Sequence, residues 1–431
     1  MESTKKIKVA AICHLSNAEI RERLPLKIGI FEKMIRRICG KNTDPFVPDF
    51  AVWNTNLIKE ISAYSERIEL HIIAPYPYLV QDVHEYEDNG VFFHFFRDEE
   101  NNFVRRIIQK IAPFLPIGSY KRNRKKVKKK VGEINPDIMH VIGIENPNYA
   151  ISGLDCPKNV PLMVQLQTLL IDPAFKNNYP ISNKEYKYRS SIELQLLKKA
   201  GYICTPVQHF IDIIKKDVHY HAEFISTVLP LAEPVNIDYD VEKEYDFVYF
   251  SANINKAADL AIEAFILASK QISGITLDVI GGYDQDYKAH LEEGLTNNGI
   301  RDKVIFEGRL PSHYDVLKQI RKSKFALLPL KIDLVSGTIR ESLANGLPVV
   351  TTITPGTPEL NKEKETLLIS PIGDHQALAD NMVRLYNNPE LAETLRRNGA
   401  QYMNDTFSNE AIVKKWVEAY EMVARNKKYK N

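Results

Sequence analysis

Residues 325–360 read FALLPLKIDLVSGTIRESLANGLPVVTTITPGTPEL. FALLP, at 325–329, is a short apolar run of the kind that forms a buried parallel strand. A polar loop follows, with Asp333 and the small residues Ser336, Gly337 and Thr338. A helix then opens, with its body over 340–344, and LPVVTT at 347–352 is a second apolar strand. Parallel sheets bind ligands at the carboxyl ends of their strands. A small-residue loop feeding a helix N-terminus offers backbone N–H groups and the positive end of the helix dipole to phosphate. Asp333 and Glu341 flank that loop. The same residues also read as an ordinary strand–loop–helix with Ser336 or Thr338 as the N-cap. The residues alone leave both readings open.

Working outward, the same alternation fills the C-terminal half. Strands are expected at 246–251, 276–280 and 304–308, and helices at 257–271, 286–298 and 314–322. The N-terminal half repeats it, with strands at 7–15, 67–74, 90–96, 136–143, 160–166 and 201–205. Helices are expected there at 57–65, 104–117 and 192–200. Strands alternating with helices in both halves predict two α/β domains with parallel sheets. The Pro-, Asp- and Glu-rich segment 229–246 reads as the linker, giving domains at 1–235 and 243–408. An amphipathic helix over 409–425 carries Trp416, Val417, Tyr420 and Val423.

Composition agrees with that size. A chain of 431 residues allows two or three domains at ~150 residues each. With 44% apolar and 26% charged residues, extended disorder, collagen and a disulfide scaffold are excluded. Its 57 basic and 55 acidic residues leave a charge of +2, which argues against a dedicated nucleic-acid binder. Cys13, Cys39, Cys156 and Cys204 show no metal-like spacing, so a reduced, cytoplasmic compartment is expected. IKVAAICHL, near the start, is too short and polar for a signal peptide. No run approaches the ~18 apolar residues of a membrane span.

The 325–360 stretch resembles the signature of the retaining glycosyltransferases of family 4. Asp333 is followed after seven residues by Glu341, then by Gly346-Leu347-Pro348-Val349-Val350 and Gly356-Thr357-Pro358-Glu359. The family usually has Glu at the first acid. Lys256, in NINKAADLAIEAF, matches the family lysine that contacts the donor diphosphate. The arginine usually placed before it is missing, and Ser251-Ala252-Asn253 stands there. LDVIGGYDQDY and VIFEGRLPSHYDVLKQIRKSKFALLP match further family segments in order, so the likeness runs through 246–425. It is weaker in the N-terminal half. PDIMHVIG and VPLMVQLQT resemble family strands, with Gln167 where a histidine near the donor sugar is expected.

The resemblance implies a GT-B fold, two Rossmann-like domains facing a central cleft, with helix 409–431 crossing back toward the first. It implies sugar transfer from a nucleotide sugar to an acceptor hydroxyl with retention. Lys256 and the N–H groups of Ser336, Gly337 and Thr338 would stabilise the departing diphosphate. Arg309 or Arg340 would substitute for the missing arginine, with Arg309 near the base. Glu341 would bind ribose hydroxyls and Asp333 the donor sugar near its anomeric carbon. Asn253 and Gln167 would complete the donor site. No cofactor and no metal are expected, since no Asp-x-Asp motif is suitably placed. A glycan or lipid-linked acceptor, in surface-polysaccharide or glycolipid assembly, is the expected partner. A sugar-nucleotide epimerase of the same architecture and an inactive binding module are the alternatives.

Two further features stand apart. The segment after the first strand, with Arg21, Arg23, Lys27 and residues 49–53, reads either as part of the acceptor site or as a solvent excursion. KRNRKKVKKK, at 121–130, has eight basic residues in ten. It reads as a solvated helix face or as an attachment to anionic lipid, with the apolar residues of 104–118 in the interface. The second reading puts the protein at the inner face of the membrane. His219 and His221 are expected on one side of a strand, in a structural role.

Overall fold

The computed structural model describes residues 5–40, 42–45, 47, 49–98, 120–178, 181–218, 221–231, 241–253 and 257–426. The chain divides into two units. One comprises 1–230 with 412–431, and the other comprises 231–411.

The first unit is built on eight strands: β1 (Ile7–Ile12), β2 (Ile68–Tyr76), β3 (Val83–Asp88), β4 (Val91–Arg97), β5 (Ile138–Ile142), β6 (Leu162–Gln165), β7 (Tyr202–Cys204) and β8 (Glu223–Ile225). Their order is β3-β4-β2-β1-β5-β6-β7-β8. β1 and β5 lie at the centre and are almost wholly buried, which is why they read as unbroken apolar runs. The sheet is parallel, as expected, except at one edge. β3 pairs antiparallel with β4 at the edge. Its sequence VHEYED alternates exposed and half-buried residues, as an edge strand with one wet face does.

Helix Asn409–Arg425 gives this unit its last buried layer. Trp416 is fully buried and donates from Nε1 to the Val228 carbonyl at 2.8 Å. The Tyr420 hydroxyl meets His140 Nδ1 of β5 at 2.9 Å. Burial lowers the His140 pKa to about 3, so the imidazole is neutral in the folded protein.

The second unit has six strands, all parallel: β9 (Tyr245–Asn253), β10 (Leu277–Gly282), β11 (Val304–Gly308), β12 (Ser323–Leu328), β13 (Val349–Thr352) and β14 (Leu367–Ser370). Their order is β11-β10-β9-β12-β13-β14. The order reverses at β9 and β12, the central pair, and the loops leaving such a switch point are where doubly wound sheets bind ligands.

Other expectations shift. The segment after β1 carries two short helices, Ala18–Arg23 and Ile30–Ile38, where no helix was read. The next helix is Val52–Ser62, earlier than 57–65. β8 begins at Glu223, so His221 precedes the strand and is exposed, while His219 lies outside the described residues. The helix expected over 104–117 also lies outside them.

Candidate functional site

In the second unit the site grows from the end of β12. The Thr351 hydroxyl donates to the Leu328 carbonyl at 2.6 Å, and Leu330 N donates to Thr352 Oγ1 at 2.7 Å. These bonds tie the chain leaving β12 to β13 beside it. The loop then passes Asp333, whose Oδ1 accepts from Leu334 N at 2.7 Å. Here the backbone closes on the turn at Gly356. A Cβ on Gly356 would stand 1.1 Å from the Leu334 carbonyl oxygen, so only glycine fits. Threonines hold that turn. Thr354 and Thr357 share a hydroxyl contact of 2.7 Å, and Thr357 Oγ1 reaches the Thr352 carbonyl at 3.1 Å.

Ser336 then caps helix Gly337–Ala344, its side chain accepting from Ile339 N. The Ser336 hydroxyl also lies 3.0 Å from Thr338 Oγ1. Two charged side chains sit in the first turns. Arg340 is buried, and its guanidinium lies over the Phe407 ring at 5.7 Å. Burial lowers its pKa to about 10, against the attraction of Glu341 and Asp333, so it stays a cation at neutral pH. Glu341 is 7% exposed, and its Oε1 lies 2.9 Å from His313 Nε2. His313 opens helix His313–Ile320, set by a capping box between Ser312 and Asp315. Asp333, Ser336, Gly337, Thr338, Arg340 and Glu341 are thus brought together, and His313 joins them. The sequence reading did not single out His313. Its one local signal is the Ser312 cap, which fixes the ring's position but does not reveal its partner.

Arg309 is exposed, directly after Gly308 at the end of β11. Asn253 is the last residue of β9, and Lys256 lies outside the described residues.

In the first unit, Gln167 follows β6 and bridges two side chains. With its amide oriented to satisfy both, its oxygen accepts from Trp53 Nε1 at 2.9 Å and its nitrogen donates to Glu145 Oε1 at 3.2 Å. Asn146 Nδ2 donates to the same Glu145 oxygen at 2.8 Å. Burial raises the Glu145 pKa to about 7, partly offset by Arg189. Trp53 comes from the segment after β1, so that segment does reach the carboxyl ends of β5 and β6. His14 joins it, edge-on to Phe50 and Tyr149 at 5.3 and 5.1 Å.

Comparison with known proteins places these features. Residues 238–402 match the family described as glycosyl transferases group 1. Over 134 residues the chain is 26% identical to the N-acetyl-alpha-D-glucosaminyl L-malate synthase of Bacillus anthracis, covering 31% of this chain and 34% of that protein. Over 147 residues it is 27% identical to the alpha-D-kanosaminyltransferase of Streptomyces kanamyceticus, covering 33% and 38% respectively. The matched part is therefore little more than a third of each relative. Among solved structures, sucrose-phosphate synthase from Thermosynechococcus elongatus superposes with a TM-score of 0.66 at 16% identity, over 97% of this chain and 99% of that one. Anabaena HepE, solved in complex with UDP and glucose, gives 0.61 at 13%, over 96% and 100%. The chain accordingly has the two-domain α/β fold of the GT-B glycosyltransferases, and residues 238–402 match the glycosyl transferases group 1 family.

Proposed function

We propose that this protein is a retaining glycosyltransferase of family 4, moving a sugar from a nucleotide-sugar donor to an acceptor hydroxyl. The observation that carries the reading is the Glu341–His313 pair beside the capped loop 333–338. A buried carboxylate with one oxygen on an imidazole is suited to accept hydrogen bonds from a vicinal diol such as ribose. Asp333 would contact the donor sugar. Charge grows on the diphosphate as the glycosidic bond breaks. The N–H groups at Ser336, Gly337 and Thr338, with Arg340 and Lys256, would stabilise that charge where it develops. The acceptor hydroxyl would lose its proton to the departing phosphate oxygen, so neither a protein nucleophile nor a metal is required. Asn253 and Gln167 would complete the donor site, and Trp53 and Glu145, bonded to Gln167, would meet the acceptor side of the reaction.

We further propose a role in surface-polysaccharide or glycolipid assembly, at the inner membrane face. The basic run supports this. It forms helix Lys121–Ile134, in which Arg124, Lys126 and Lys130 pair inward with Asp155, Asp82 and Glu85. Lys121, Arg122, Lys125, Lys128 and Lys129 face solvent. No helix among the described residues is long and apolar enough to cross a membrane, so a lipid-borne acceptor would be met from the surface.

A thermal-shift panel of nucleoside diphosphates and nucleotide sugars tests the donor site. A donor at about a hundred times its Kd stabilises by ~2.7 kcal/mol. One nucleotide class should raise the Tm of the wild type and do so far less for Glu341→Gln. Equal shifts in both proteins would overturn the site. Release of a free epimerised donor in place of a glycosylated acceptor would overturn the reaction.

A further inference from the structure

Helix Ile30–Ile38, in the segment after β1, turns four large apolar side chains to solvent. Ile30 is 87% exposed, Phe31 57%, Met34 53% and Ile38 77%. They recur at i, i+1, i+4 and i+8, which is one face of a helix. An exposed apolar cluster of this kind on a folded unit marks an interaction surface. The rest of the helix is cationic, with Lys33, Arg36 and Arg37. Its one acid, Glu32, is buried and paired with Arg36 at 2.7 Å.

The helix is joined to the basic helix Lys121–Ile134 through the strand-end segment 78–83. The Arg36 guanidinium donates to the Tyr78 hydroxyl at 2.9 Å, and Val80 N donates to the Pro25 carbonyl at 2.9 Å. Arg97 donates to the Val80 carbonyl at 3.3 Å and pairs with Asp82 at 3.8 Å. Lys126 pairs with the same Asp82 at 2.7 Å. Val80 and Val83, on this segment, are themselves 48% and 37% exposed. An apolar helix face, an apolar strand-end segment and a row of outward cations thus lie in succession on one unit.

We propose that helix Ile30–Ile38 is an interfacial anchor that seats its apolar face in an anionic lipid surface, with the exposed cations of helix Lys121–Ile134 on the headgroups. Charge selects this occupant. Lys33 and Arg37 beside the apolar face and the solvent-facing cations of helix Lys121–Ile134 complement an anionic bilayer, while the exposed Asp82 between them is neutralised by Lys126 and Arg97. The inference deepens the membrane role proposed above. It moves the apolar part of the contact from residues 104–118 to 30–38. The anchor follows β1 and is tied to Tyr78 just past β2, so it belongs to the carboxyl edge of the sheet.

Co-sedimentation of the full chain with vesicles tests it, using phosphatidylcholine alone and with about a third phosphatidylglycerol. The wild type should bind the anionic vesicles selectively. Ile30→Glu with Phe31→Glu should weaken that binding roughly a hundredfold. Lys125→Gln with Lys128→Gln and Lys129→Gln should weaken it about fivefold per charge. Both sets of positions are exposed, and the Tm read by circular dichroism reports that the fold is kept. Absence of wild-type binding, or unchanged binding by the Ile30/Phe31 variant, overturns the proposal. So does a solution dimer that this variant dissociates, read by light scattering. The nucleotide-induced thermal shift of the same variants reports on the donor site separately, so failure of the anchor and failure of the transferase reading are distinguishable.

Discussion

Two acids are held near the sheets, Glu341 in the second unit and Glu145 in the first, and their surroundings differ in kind. Glu341 stands in helix Gly337–Ala344, beyond the loop that leaves β12, and sits against His313. Glu145 follows β5, and among the described residues the hydrogen bonds to its side chain come from neutral amides, of Asn146 and Gln167, both on Oε1. Its Oε2 has no hydrogen-bond partner among the described residues. The first arrangement keeps a carboxylate ready to accept from hydroxyl groups. The second leaves a carboxyl whose charge is disfavoured by burial, titrating near neutrality. The first unit therefore holds a group that changes with pH, set among amides, where the second sets its acid against an imidazole.

The comparison can be broken most severely at Gly356. Gly356→Ala forces a Cβ into the Leu334 carbonyl and must displace the loop 333–338. Nucleotide-induced stabilisation should vanish altogether in a thermal-shift assay, with the Tm itself falling. Next in size is Glu341→Gln. Removing a charged acceptor from a hydrogen bond costs about 1.5–3 kcal/mol, so donor affinity by calorimetry should fall about ten- to a hundredfold.

Glu145→Gln sharpens the contrast through pH. The folded pKa, about 7, lies above the ordinary carboxyl value of 4.5. The group's stabilising contribution is then present below about pH 4.5 and is lost as pH rises through about 7. The Tm loss between acid and mildly alkaline buffer should shrink in the variant, with Glu193 and Asp278 contributing a remainder because burial raises them to about 8 and about 7. An unaltered Tm–pH curve would show that Glu145 is not the titrating group.

The smallest effect at neutral pH belongs to His140→Phe, which loses the Tyr420 contact for about 1 kcal/mol. His140 has the opposite sign to Glu145. Its folded pKa is about 3 against the ordinary imidazole value of 6.5, so its contribution is present above about pH 6.5 and is lost as pH falls toward 3. The variant should unfold at lower pH than the wild type in an acid titration.

Much of this was legible in the sequence because buried parallel strands are continuous apolar runs, and β1, β5, β12 and β13 are such runs. The loop from Asp333 to the Gly356 turn was legible because its small and acidic residues occur in close succession. β3 was not, since VHEYED is polar on its wet face. Its signal was the turn that follows, Asn89-Gly90, with φ of +50° and +74°, which matches a two-residue hairpin. The helices Ala18–Arg23 and Ile30–Ile38 are too short for a periodic pattern to stand out. His313 and Glu341 lie 28 residues apart, and Trp53 and Gln167 come from different helices and loops. Local spacing does not encode pairs that only the packing of the sheet brings together.

Helix Asn409–Arg425 has a consequence for biosynthesis. The first unit spans 1–230 and then takes back 412–431. Its Trp416 and Tyr420 pack on His140 of β5. The unit begun first is thus completed after the other. On a ribosome, 231–411 emerges whole and can fold while the earlier unit still exposes the β5 face. Shortening the chain by its final helix would therefore damage the N-terminal half, far away in sequence, and spare the half adjoining the cut.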